Sequence, residues 1–133
     1  MKMRVCLDTS AYSAFRRGLP AAVEALQLAA EVVFTPVIVG ELLCGFRGGN
    51  RYASNRSDLQ EFLRSPRVLM VSIDEETALR YSEIYSYLRG KGAPIPTNDV
   101  WIAATAMQYG LEVLTTDRHF ERIPQVLSRL LLE

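Results

Sequence analysis

The sequence predicts an α/β fold, a three-layer sandwich in which a short, mainly parallel β-sheet is flanked by helices. Three observations predict it. Short apolar runs alternate along the chain with longer segments of helical period. The runs lack polar alternation, as strands buried on both faces do. A length of 133 residues, with 49% apolar and 23% charged side chains, fits one globular domain over residues 1–133. That composition excludes a disordered tail, a collagen-like repeat and a disulfide-stapled miniprotein.

Met3 to Leu7 is the first strand, stopped by Asp8 and followed by a helix from Thr9 to Arg17 that Gly18 ends. Pro20 opens a short helix through about Ala29, and Val32 to Thr35 is a second strand. Pro36, at a first helical position, starts a helix to Phe46 before Gly48 and Gly49. Leu59, Phe62 and Leu63 stand at helical spacing in a segment from about Ala53 to Leu63. The β-branched run Val68 to Ile73 is a third strand. Asp74 then caps a helix with Tyr81, Ile84, Tyr85 and Leu88 on one stripe, ending at Gly90. Asn98 or Asp99 opens a helix through Tyr109, Gly110 stops it, and Glu112 to Thr115 is a strand. The tail from Gln125 to Leu132 reads equally as strand or helix.

Composition also bounds function. No apolar run approaches the roughly 18 to 20 residues that cross a bilayer, and Asp8 interrupts any signal-peptide core, so a cytoplasmic protein with no membrane association is expected. Cys6 and Cys44 lie in apolar segments without metal-ligand spacing. They read as buried reduced thiols, against zinc. Basic and acidic residues balance at 15 each, but the basic set is arginine-rich, and the planar guanidinium suits phosphate. If four of the 15 acids share one pocket, 11 remain elsewhere and the surface around it is mildly positive.

Those four are Asp8, Glu41, Asp99 and Asp117. Asp8 and Asp117 follow strands, on the rim where ligands of a parallel sheet gather, and Asp99 begins a helix, whose positive end favours a carboxylate. Glu41 is the one charge between Pro36 and Phe46, a helix apolar almost all round and hence expected to be buried on several sides. Each has a plainer reading. Glu41 fits a solvent strip or an ion pair, Asp8 an N-cap, Asp99 a first-turn acid and Asp117 a turn residue. Gathered about 4 to 6 Å apart, four carboxylates would repel by several kcal/mol, against a net stability of about 5 to 15 kcal/mol. A cation then belongs between them, and oxygen donors without His or Cys select Mg²⁺ or Mn²⁺. Such a site activates water against a phosphodiester.

Cys-Leu-Asp-Thr-Ser at residues 6–10, Gly-Glu-Leu at 40–42, Thr-Asn-Asp-Val-Trp-Ile-Ala-Ala at 97–104 and Leu-Thr-Thr-Asp-Arg-His-Phe at 114–120 occur in that order. In order and spacing, over essentially the whole chain, they resemble the PIN domain, most of all the VapC-type ribonuclease toxins of toxin-antitoxin pairs. The resemblance implies a Mg²⁺- or Mn²⁺-dependent endoribonuclease that leaves a 5′-phosphate and a 3′-hydroxyl. Asp8, Glu41, Asp99 and Asp117 match the family's four acids and would hold one or two ions, Glu41 partly through water. Ser10 and Thr115 match hydroxyls that orient the acids. Thr116 fills the variable place of the Thr-x-Asp motif. The family also implies a homodimer and a VapB-type antitoxin lying in a groove, for which the apolar parts of Val37 to Phe46 and Leu59 to Leu63 are candidates; internal core is the competing account.

Arg16, Arg17, Lys91 and Arg118 adjoin the acidic motifs or the loop from Gly90 to Pro96, as RNA contacts or as solvated charge. His119 reads as a solvated or capping residue, and Tyr81, Tyr85 and Trp101 as core or interface aromatics. A flavodoxin-like regulatory domain would need an acidic pair before the first strand's Asp and a late Lys. A haloacid-dehalogenase phosphatase would need Asp-x-Asp, and a P-loop NTPase a Lys-Ser/Thr after Gly45. None of these is present. The alternative with weight is a PIN-like module that binds RNA or protein without cutting.

Overall fold

The computed structural model describes residues 3–132. Its elements run β1 Arg4–Leu7, α1 Thr9–Arg16, α2 Pro20–Leu28, β2 Glu31–Phe34, α3 Pro36–Arg47, α4 Tyr52–Leu63 and β3 Val68–Met70. There follow α5 Glu75–Gly90, α6 Thr97–Tyr109, β4 Glu112–Thr115, a 3-10 helix Arg118–Arg122 and β5 Leu127–Leu130. The strands form one sheet in the order β3-β2-β1-β4-β5, and every pairing is parallel. Helices cover this sheet, giving the three-layer α/β sandwich.

Burial explains the apolar runs. Val5, Cys6 and Leu7 of β1, Val32 to Phe34 of β2 and Val113 and Leu114 of β4 are all at most 1% exposed. Each fully buried side chain of this size contributes about 1.5–3 kcal/mol. On α6, the run Ile102 to Ala106 is buried without a break, so this helix is walled in all round and its alanines let neighbours come close.

Strand order positions the site. From β1 the chain builds β2 and β3 on one side, then returns to add β4 and β5 on the other. The crevice between the carboxyl ends of β1 and β4 is therefore the switch point where open parallel sheets bind ligands. Leu7 pairs with Leu114, and the Asp8 N–H donates to the Leu114 carbonyl at 3.2 Å, which brings Asp8 alongside Thr115.

Several boundaries differ from those the sequence predicts. The third strand stops at Met70 because it is an edge, closed by a last bond from the Val71 N–H to the Phe34 carbonyl. The tail is a strand, β5, since β4 offers it a free edge. The last helix starts at Thr97 with Pro96 in the cap position, so Asp99 sits in the first turn rather than at the cap. The helix α3, expected to be buried on several sides, buries only Ile38 and Leu42, while Pro36, Gly40 and Cys44 are exposed. Cys44 is thus a surface thiol, contrary to expectation; apolar neighbours in sequence bury a residue only where another element lies opposite. Cys6 is buried as expected. Asp74 does cap α5, in a reciprocal box with Thr77. Among the described residues no helix is long and apolar enough to cross a membrane.

Candidate functional site

Asp8 is the N-cap of α1 and only 4% exposed. Its Oδ1 accepts the Ala11 N–H at 2.8 Å and the Ser10 hydroxyl at 2.6 Å, and its Oδ2 accepts the Thr115 hydroxyl at 2.6 Å. Ser10 and Thr115 therefore contact the acid they were expected to orient. Burial holds the Asp8 carboxyl above its ordinary range; those hydrogen bonds pull it back, and the nearby charge of Asp99 pushes it further up.

Glu41 lies at half depth on α3. Its Oε2 accepts from the Asn98 side chain, while its Oε1 is buried without a hydrogen-bond partner. Burial raises this carboxyl, the Asn98 bond lowers it, and the charges of Asp99 and then Asp8 raise it. Three of the four acids thus feel one another, although they come from the start of α1, from α3 and from α6.

Asp117 follows β4 and caps the 3-10 helix, its Oδ1 accepting the His119 N–H at 2.9 Å. The His119 ring lies between two of the acids, with Nδ1 at 2.8 Å from Asp99 Oδ2 and 3.2 Å from Asp117 Oδ1. Burial raises Asp99, contact with His119 lowers it, and Asp117 raises it. The solvated or capping role that the sequence suggests for His119 is thereby corrected. Phe120, the next residue, is 1% exposed and anchors the 3-10 helix in the core. His119 and Asn98 are the site residues that sequence reasoning missed. Their signal was position alone, each being adjacent or near to an acid within a motif.

The donors are all oxygens, and one of them, Glu41 Oε1, is buried and unpartnered. A hard divalent cation fits such a set. Among the described residues no three His, Cys, Asp or Glu side chains already converge as a ligand cluster. Each carboxylate instead has at least one oxygen turned to a protein donor. Asp99 Oδ1, Asp117 Oδ2 and Glu41 Oε1 accept no described hydrogen bond, so three of the four acids keep an oxygen without a protein donor.

Three of the four expected RNA contacts have partners other than the acids of the crevice. Arg16 pairs with Asp58 at 3.1 Å, Arg118 pairs with Glu121 at 2.9 Å, and Lys91 sits over the Tyr87 ring. Arg17 is the C-cap of α1. Trp101, Tyr81 and Tyr85 stack along α5 and α6 with centroid separations of 4.1 and 5.8 Å, which places them as packing aromatics.

Residues 5–126 match the family described as the PIN domain. The chain is 31% identical over 90 residues to Ribonuclease VapC4 of Mycobacterium tuberculosis, covering 68% of this chain and 69% of that protein. Among solved structures it resembles VapBC-5 of Mycobacterium tuberculosis, a member of the VapBC family of toxin-antitoxin systems, at TM-score 0.76 and 26% identity, over 96% and 98% of the two chains. It shares its fold with VapBC-1 of nontypeable Haemophilus influenzae at TM-score 0.83 and 24% identity, over 98% and 100%.

Proposed function

This chain belongs to the PIN domain family, in its VapC branch, and on that premise we propose that it is the toxin of a VapBC-type pair, a Mg²⁺- or Mn²⁺-dependent endoribonuclease. The observation that carries the reading is the shared crevice of Asp8, Glu41 and Asp99, in which a buried Glu41 oxygen has no hydrogen-bond partner. Asp8, Asp99 and Asp117 would hold the cation, one ion or two, with Glu41 partly through water. Such an ion supplies Lewis acidity toward the scissile phosphate and lowers the pKa of an attacking water.

The chain's own residues do the rest. Asp8 is pinned by Ser10, Ala11 and Thr115, so its lone pairs are aimed before any ligand arrives. Glu41 stands across the crevice, oriented by Asn98. Water attack in line with the leaving 3′-oxygen would yield a 5′-phosphate and a 3′-hydroxyl. Exposed Arg118, beside Asp117, together with Arg16, Arg17 and Lys91, would meet the RNA backbone, where each contact adds salt-dependent affinity without sequence preference.

The antitoxin of such a pair would lie along α3 and α4. Val37, Val39, Leu43 and Phe46 are only half covered there, and a cleft of about 200 Å³ lined by Tyr12, Arg16, Phe46 and Asn55 opens beside them. A homodimer completes the assembly we propose, in the cytoplasm.

The test is RNA cleavage by purified protein with Mn²⁺, with EDTA, and with Asp8→Asn, which removes charge without volume. Cleavage with Mn²⁺, lost in the other two, is the expected result. Cleavage by Asp8→Asn at the wild-type rate would sink the assignment. RNA that is shifted on a gel yet stays intact with Mn²⁺ would identify a binding module instead.

A further inference from the structure

His119 touches two of the proposed metal-holding acids and ligates nothing in the mechanism above. Its ring nitrogen Nδ1 is 2.8 Å from Asp99 Oδ2 and 3.2 Å from Asp117 Oδ1. Both neighbours are acceptor oxygens, so the proton belongs on Nδ1, donated to Asp99 Oδ2, with Asp117 Oδ1 in polar contact beside it. The two carboxylates come from different elements, the first turn of α6 and the end of β4, and like charges there push apart.

The other acids have independent supports. Asp8 has three donors, Glu41 has Asn98, and Asp117 has the His119 backbone N–H. Asp99 accepts no described side-chain or backbone donor except His119. The backbone that carries the ring is anchored, since Phe120 is 1% exposed and Ile123 is 2% exposed.

We infer that His119 is a positioning residue for the proposed metal centre: its Nδ1–H holds Asp99 Oδ2 by a hydrogen bond while the ring lies against Asp117 Oδ1, which leaves Asp99 Oδ1 and Asp117 Oδ2 to face the ion. The inference rests on the metal-dependent reading above. It treats His119 as the partner that sets carboxylate rotamers, acting from behind the ligands. Partners of this kind are worth about 10- to 100-fold in metal affinity.

The geometry selects the variants. An asparagine side chain places its amide nitrogen where histidine has Nδ1, both being bonded to Cγ, so His119→Asn keeps the donor and discards the rest of the ring. His119→Leu keeps bulk and discards the donor, and His119→Ala serves if the leucine variant does not fold.

The experiment titrates Mn²⁺ into the purified full chain, without RNA, and follows the free-ion electron paramagnetic resonance signal. We expect His119→Leu to weaken Mn²⁺ binding about tenfold or more and His119→Asn to stay within about threefold of wild type. Thermal unfolding of the metal-free variants checks that the fold is kept. Pulsed measurements on bound Mn²⁺ should show no directly coordinated nitrogen. Unchanged affinity in a folded His119→Leu protein, or a directly coordinated nitrogen, would overturn the positioning role while leaving the metal reading intact. Wild-type protein that takes up no Mn²⁺ would overturn the metal reading, and this inference with it.

Discussion

The Thr115 hydroxyl donates to Asp8 Oδ2 at 2.6 Å, joining residues 107 apart in sequence across the β1–β4 crevice. The Thr115 hydroxyl oxygen in turn accepts the Asp117 N–H at 2.9 Å. One hydroxyl therefore fixes both the acid that caps α1 and the turn that carries another.

Thr115→Val keeps the shape and deletes that hydroxyl, leaving Asp8 short of a donor and the Asp117 N–H unpaired. We expect RNA cleavage to fall by at least about tenfold and unfolding stability to drop by about 1–3 kcal/mol. Thr115→Ser should restore most of both. Cleavage rates and urea unfolding of the two variants, measured side by side, check this, and a Thr115→Val protein equal to wild type would refute it.

Asp8, Glu41 and Asp99 all have raised carboxyls, chiefly through burial. A raised folded value means the folded state keeps protons that the unfolded chain releases above its ordinary values of 3.8 for Asp and 4.5 for Glu. The contribution of these groups to stability is thus greatest below those values and declines as pH rises through the folded ones. A divalent ion should offset the loss. The Mn²⁺-induced gain in melting temperature should be clear at neutral pH and vanish toward about pH 4, where the carboxyls are protonated. Scanning fluorimetry across pH, with and without Mn²⁺, reads it out; an equal gain at both ends would contradict the prediction.

The two thiols should differ sharply. Cys6 is fully buried, and burial with the neighbouring Asp8 charge pushes its thiol up to about 12. Cys44 is exposed. At mildly alkaline pH a disulfide reagent should titrate one thiol in the native protein and two in denaturant. Cys44→Ser should abolish the native reaction and shift stability by no more than about 0.5 kcal/mol.

Glycines at two positions predict opposite signs. Gly110 closes α6 with φ of +67°, a conformation that costs an alanine about 1–2 kcal/mol. Gly40 lies inside α3, exposed, with open space where a Cβ would go, so Gly40→Ala should stabilise by about 0.8–1 kcal/mol. Denaturant midpoints of the two variants should move in opposite directions.

Most elements were legible because their signals are local. Apolar runs marked the buried strands, Asp74 and Thr77 lie within one turn of each other, and Gly110 stops a helix by its own backbone freedom. The four acids stood out for similar reasons, each a charge at a strand end, at a helix start or in an apolar helix. The edge strand β3 and the tail were harder, since half-buried strands carry a weaker pattern.

By itself, then, the sequence determined the α/β alternation, the parallel sheet and the placing of Asp8 and Asp117 after the strands they follow. The tertiary structure alone decided that Asn98 would meet Glu41, that His119 would bridge Asp99 and Asp117, and that Cys44 would face solvent. The physical reason is that helix and strand periodicity is written within a few residues. Contacts between side chains tens of residues apart depend on which element packs opposite, and no short stretch of sequence encodes that.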